Sequence, residues 1–180
     1  MKNRSLYFLI LLVAISGCNK IKDATTLTIN TQLKTNIPVV VSGVGMKSAD
    51  LLASVNSIAF NKSQDLVLGD NVDLASYTAR IKQMDLTSVV VTVTGLSTDQ
   101  TINSVTLNVS GVGDVVTQTN ITSTNNSFTP VVTTAMLNAI SAKLTADRKI
   151  TITVSGTASG VMTFSVGINI DSRVVVYTIQ

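Results

Sequence analysis

The sequence predicts a mainly β protein, an antiparallel β-sandwich with two amphipathic helices in its crossovers. Three observations carry that expectation. Val and Thr dominate, with 25 of each among 180 residues, and both are β-branched types that suit a pleated, half-buried surface. Apolar and polar residues alternate over short runs separated by Gly, Asn, Asp and Ser, which is the period of strands. Only two long segments change to the three- and four-residue steps of a helix.

The chain opens with Lys2 and Arg4, continues through an apolar run from Leu6 to Ile15, and reaches Ser16-Gly17-Cys18. A basic stub, a short apolar core and small residues at a cut site are the parts of a secretory signal. The run is shorter than the roughly twenty residues a membrane span needs. Ile15-Ser16-Gly17-Cys18 resembles the lipobox of bacterial lipoproteins: an aliphatic residue, two small ones, then the only cysteine. The resemblance covers residues 1–18 and implies that Cys18 is acylated, that residues 1–17 are removed, and that palmitate-type chains anchor the protein. Asn19, rather than Asp, follows the cysteine, which in lipoproteins of enteric type implies the outer membrane. Residues 18–25 then read as a polar tether, and 26–180 as a single β-sandwich domain.

Each element follows from its local pattern. Thr25–Lys34 alternates through Leu27, Ile29 and Leu33 as a half-buried strand, and Pro38 opens a second at Val39-Val40-Val41. Ser48–Val55 fits a short helix, and 57–60 and 65–68 read as strand fragments. Leu74, Tyr77, Ile81 and Met84 recur at helical spacing, predicting a helix over 72–84 capped by Asp70 or Asn71. Strands follow at 86–94, 102–110 and 114–122, with Val116 and Ile121 inward, and a short one at 128–132 broken by Pro130. A second helix fits 133–146, capped by Thr133 or Thr134, with Met136, Leu137, Ile140 and Leu144 on one face and Arg148-Lys149 at its end. Three strands close the chain at 150–155, 161–170 and 173–179, joined by turns at 156–160 and Asp171-Ser172.

About nine strands with few helices give a sandwich that is immunoglobulin-like in general architecture, with a partly closed barrel as the alternative. Helix 72–84 runs into a strand ending Val93-Thr94-Gly95, and helix 133–146 into one ending Val154-Ser155-Gly156. That echo fits either a duplication or the ordinary packing of a helix beside a strand.

Composition excludes several chemistries. The 13 basic and 10 acidic residues give +3, but Lys2 and Arg4 belong to the signal, so 13 − 2 leaves 11 against 10. With no basic stripe and few aromatics, no nucleic-acid partner is expected. The absence of histidine leaves no Ser-His-Asp or Cys-His nucleophile system, and with one lipid-consumed cysteine no N/S zinc site. No cofactor is implied. Gly43-Val44-Gly45 and Gly111-Val112-Gly113 lack the third glycine of a phosphate loop and read as strand-end turns.

The acids are all Asp. Asp65, Asp70 and Asp73 lie near one another around Gly69 and are weak candidates for an oxygen-ligated Ca²⁺ site, though without EF-hand spacing. The competing assignment gives Asp70 a capping role and Asp73 a place in the first helical turn. Tyr77 and Tyr177 read as core or rim residues.

Three functions remain open. The leading expectation is a lipid-anchored, non-catalytic binding or structural module of the cell envelope, attached to the membrane and taking a protein or glycan ligand. The others are an Asp-dependent glycan hydrolase and a β-sandwich subunit of a surface fibre or adhesin. Convergence of Asp side chains in one cleft distinguishes the first alternative, and an unpaired groove or exchangeable strand the second.

Overall fold

The computed structural model describes residues 25–43 and 57–178. The lipobox Ile15–Cys18, residues 18–24 of the tether, the proposed short helix 48–55 and part of the Gly43-Val44-Gly45 turn lie outside them.

Among the described residues, eight strands form two antiparallel four-stranded sheets, a β-sandwich. The first sheet contains β1 (Thr26–Val41), β8 (Met162–Tyr177), β3 (Ile81–Thr94) and β6 (Ser127–Phe128), in the order β1-β8-β3-β6. The second contains β2 (Ile58–Val67), β7 (Lys149–Ala158), β4 (Ile102–Val109) and β5 (Gly113–Ile121), in the order β2-β7-β4-β5. The inner faces share one core. Leu33, Ile37, Val39 and Val41 of β1 meet it from one sheet, and Ile150, Ile152 and Val154 of β7 from the other. Phe60 and Phe164 join the sheets through an edge-to-face contact at 5.3 Å.

The strands are fewer and longer than the sequence pattern predicts. Pro38 does not separate two strands; it lies inside β1, whose pairing with β8 runs unbroken from Thr26↔Tyr177 to Val41↔Met162. Thr25 O accepts from Thr178 N at 2.7 Å, so the odd positions of β1 bond to β8. The even positions therefore point their N–H and C=O away from it. Pro38 is even, and its missing N–H costs no ladder bond.

Asp171-Ser172 is not a turn but the middle of β8. The inward parity of Met162, Phe164, Val166, Ile168 and Ile170 continues through Ser172, Val174 and Val176. Ser172 is buried because its hydroxyl donates to Thr31 O at 2.9 Å. The fragments at 57–60 and 65–68 likewise merge into β2.

The predicted helix 72–84 is absent. Ala75–Arg80 forms a 3₁₀ turn, and Ile81 already begins β3. Leu74, Ile81 and Met84 are all buried, yet their helical spacing arises where a turn passes into a strand. The echo at residues 93–95 and 154–156 thereby loses the first of its two helices.

The second helix is present as α1 (Thr134–Asp147). Thr133 Oγ1 accepts from Met136 N at 3.3 Å as its cap. Ile140 and Leu144 are buried while Met136 and Leu137 are half-buried. Arg148 stops the helix in the left-handed region at φ 60. The Gly111-Val112-Gly113 turn has φ of 80 at Gly111 and 108 at Gly113, the strand-end role expected of it.

Candidate functional site

β1 and β2 stand at neighbouring edges of the two sheets, and an open cleft of about 1060 Å³ runs along β1 on that side. Its walls are residues 30–36 of β1, 64–67 of β2, the 70–73 segment and Asp171–Arg173 of β8. The cleft is built by side chains that reach across strands rather than along them.

Asp171 occupies the outward face of β8, between β1 and β3. Its Oδ1 accepts from Gln32 Nε2 at 2.8 Å, and its Oδ2 from Ser88 Oγ at 2.5 Å. These three residues form one row, because Gln32↔Asp171 and Ser88↔Asp171 are cross-strand neighbours. An irregularity in β3 between Leu86 and Ser88 turns the Thr87 hydroxyl to Asp171 O at 3.3 Å. The Ser88 hydroxyl, with help from Gln32, holds the Asp171 carboxyl below the usual carboxylate range.

Asp65 belongs to the other wall. Thr151 Oγ1 donates to it at 2.6 Å, and Lys149 Nζ stands 3.4 Å from its second oxygen. The Thr151 hydroxyl first, then Lys149, lowers its pKa. This carboxylate is committed to its own sheet.

The segment between these walls carries the remaining candidates. Asn71 Oδ1 accepts from Asp73 N at 3.0 Å and Leu74 N at 3.2 Å, closing a capped turn. Asn71, not Asp70, thus does the capping. Asp73 Oδ2 instead accepts from the nearly buried hydroxyl of Thr31 at 2.6 Å. Leu68 and Leu74, both fully buried, pin the two ends of the segment into the core.

The structure therefore brings Asp65, Asp70, Asp73 and Asp171 to one cleft. Among the described residues no group of three or more such side chains stands close enough to hold a metal ion. Sequence reasoning missed Asp171, Gln32 and Ser88 because it placed Asp171 in a turn. The unbroken parity of residues 162–176 was the signal available to find them.

A second polar surface covers the outer face of the β2-β7-β4-β5 sheet. Ser63 pairs with Thr153 at 2.8 Å, Ser104 with Thr157 at 3.0 Å, and Thr106 with Thr117 at 3.1 Å. This hydroxyl-rich face is thus a set of cross-strand pairs, each satisfying its neighbour.

No protein-family model matches the chain, and no curated protein matches it. Among solved structures it is similar to a chain described as Desmodium yellow mottle tymovirus, with 15% sequence identity and a TM-score of 0.37, over 84% of this chain and 85% of that one. So distant a likeness carries no function.

Proposed function

We propose that the protein is a lipid-anchored, non-catalytic binding or structural module of the bacterial cell envelope, held in the outer membrane through acylated Cys18. The single observation that carries this reading is Ile15-Ser16-Gly17-Cys18 at the end of a short apolar run. The cleft along β1 is its ligand surface, and its amide, hydroxyl and carboxylate lining suits a protein backbone or a glycan.

The hydrogen bonding of Asp65 and Asp171 supports a non-catalytic role. A glycoside hydrolase of the ordinary kind needs one carboxylic acid whose pKa is raised so that it can donate a proton. Asp65 and Asp171 are both pushed the other way, chiefly by the hydroxyl donors Thr151 and Ser88.

The fibre-subunit alternative draws on the outward-pointing backbone of β1, but the Asn71 amide at Gln32 and the proline six residues on, Pro38, interrupt that edge.

Growth with labelled palmitate tests the anchor, with label expected on the wild type and lost in Cys18→Ala. Label that persists in the variant overturns the assignment. Incubation with envelope glycans tests the catalytic alternative: release of reducing ends that disappears in Asp65→Asn or Asp171→Asn would make the protein an enzyme.

A further inference from the structure

We infer that the end of the sandwich from which the tether leaves is itself a contact surface for anionic phospholipid headgroups of the membrane that holds the anchor. The inference rests on the lipid-anchored reading and adds an orientation to it.

Distance comes first. Thr25, the first described residue, lies seven positions after Cys18, and an extended chain spans at most about 25 Å over seven such steps. Thr25 O accepts from Thr178 N at 2.7 Å, and Thr178 O accepts from Arg80 Nη1 at 3.1 Å. Arg80 therefore stands at the exit of the tether. An anchored Cys18 keeps this end within one short span of the headgroups.

Residue chemistry comes second. Apart from Tyr7 in the signal, the chain has two tyrosines, and both lie at this end. The Arg80 guanidinium lies 5.0 Å from the Tyr77 ring centroid, and Lys82 Nζ lies 5.5 Å from that of Tyr177. The irregularity in β3 between Ile81 and Gln83 places Lys82 on the outside, and Leu27 nearby is 41% exposed. Rings with a polar tip, flanked by long cationic side chains, are the combination that settles at a lipid–water interface.

Charge comes third. Arg80 and Lys82 put two cations at the start of β3, with Asp85 the first acid along that strand. Asp85 already accepts from Gln83 Nε2 at 2.9 Å. Each cation held near an anionic bilayer is worth about a fivefold gain in association.

The test uses the full lipidated chain in phosphatidylcholine vesicles with and without phosphatidylglycerol, followed by hydrogen exchange and intact-mass analysis. Residues 75–83 and 174–178 are expected to exchange more slowly on the phosphatidylglycerol vesicles than in detergent, with β5 unchanged as reference. Lys82→Glu, a change at an exposed position, should reduce that protection by about fivefold or more. An acylated Cys18 with no slowing in these segments overturns the headgroup contact and leaves the anchor intact. A Cys18 without acyl mass overturns both.

Discussion

Asn71 closes the free edge of β1: its Nδ2 donates to the backbone carbonyl of Gln32 at 2.8 Å. The alternation of an antiparallel ladder points that carbonyl away from β8, toward the open side of the sheet. Among the described residues no strand pairs with that side of β1, and such an edge is a template for pairing with another chain; one side-chain amide here occupies its middle. The same side chain caps its own turn, so one residue serves edge and loop together.

Asn71→Ala should accordingly lose both services. A destabilisation of about 1–2 kcal/mol is expected in urea unfolding, the size of a lost cap with an accompanying hydrogen bond. Asn71→Asp separates the two, because its carboxylate still accepts from the turn but meets the Gln32 carbonyl with an acceptor. That variant should retain the turn and show increased self-association by sedimentation velocity. An unaltered sedimentation profile would show that the edge needs no such guard.

Gly156 makes a second prediction. It lies opposite Phe60 in the β2–β7 register, and an added Cβ would meet Phe60 Cζ at 2.8 Å and collide with the Ser104 carbonyl oxygen. Gly156→Ala should cost about 1–3 kcal/mol by overpacking. The worse clash is with backbone, so shortening the ring in Gly156→Ala/Phe60→Leu should not restore stability. Recovery to wild-type midpoints in that double variant would show that the ring alone sets the limit.

These two residues also show what was legible in the sequence. The sandwich was, since strand faces are written in side-chain alternation, and so was α1, with its cap narrowed to Thr133 or Thr134. Asn71 was visible as a capping candidate, but its bond to Gln32 spans 39 residues and has no local signature. Helical spacing at Leu74, Tyr77, Ile81 and Met84 misled because burial, not helix geometry, repeats there: a 3₁₀ turn and a strand each present one face to the same core.

The cleft was half legible. Asp65, Asp70 and Asp73 are near in sequence and could be named together. Asp171 could not be joined to them, because its row with Gln32 and Ser88 depends on which strands become neighbours. Polar pairs such as Asp171-Ser172 resemble turns when composition is weighed above parity. In β8 one of the pair faces solvent with partners and the other bonds a core-side carbonyl.

The pH dependence of stability follows from the two held carboxylates. A carboxyl whose pKa is lower in the folded state binds fewer protons there than in the unfolded chain at the same pH. Its contribution is fully present above the unfolded value of about 4 and is lost as pH falls through the lower folded value. Asp65 and Asp171 both have this sign. Urea midpoints should therefore decline on the acid side of pH 4 and be insensitive to these groups near neutrality. Asp171→Asn should shallow the acid limb, since an amide cannot lose that charge. An acid limb as steep as that of the wild type would remove Asp171 from the account.

The opposite edge of the first sheet offers a comparison with Asn71. There β6 pairs with β3 at Val91 and Thr92, and among the described residues the strand before them has no β neighbour on that side. Helix α1 packs against this stretch, and Ser141 Oγ donates to the Met84 carbonyl. Both residues are buried, with Ser141 at 7% exposure and Met84 at 4%, so water cannot replace the bond. Ser141→Ala improves helix propensity by a few tenths of a kcal/mol, yet strands a buried carbonyl at a cost of about 1–3 kcal/mol. The second effect is larger, and a net loss is expected in urea unfolding. Exposure of a hydroxyl-lacking helix face should also speed exchange at the amides of residues 81–86, because α1 then releases more readily from β3. A neutral or stabilising Ser141→Ala would mean that packing of Ile140 and Leu144 alone seals that edge.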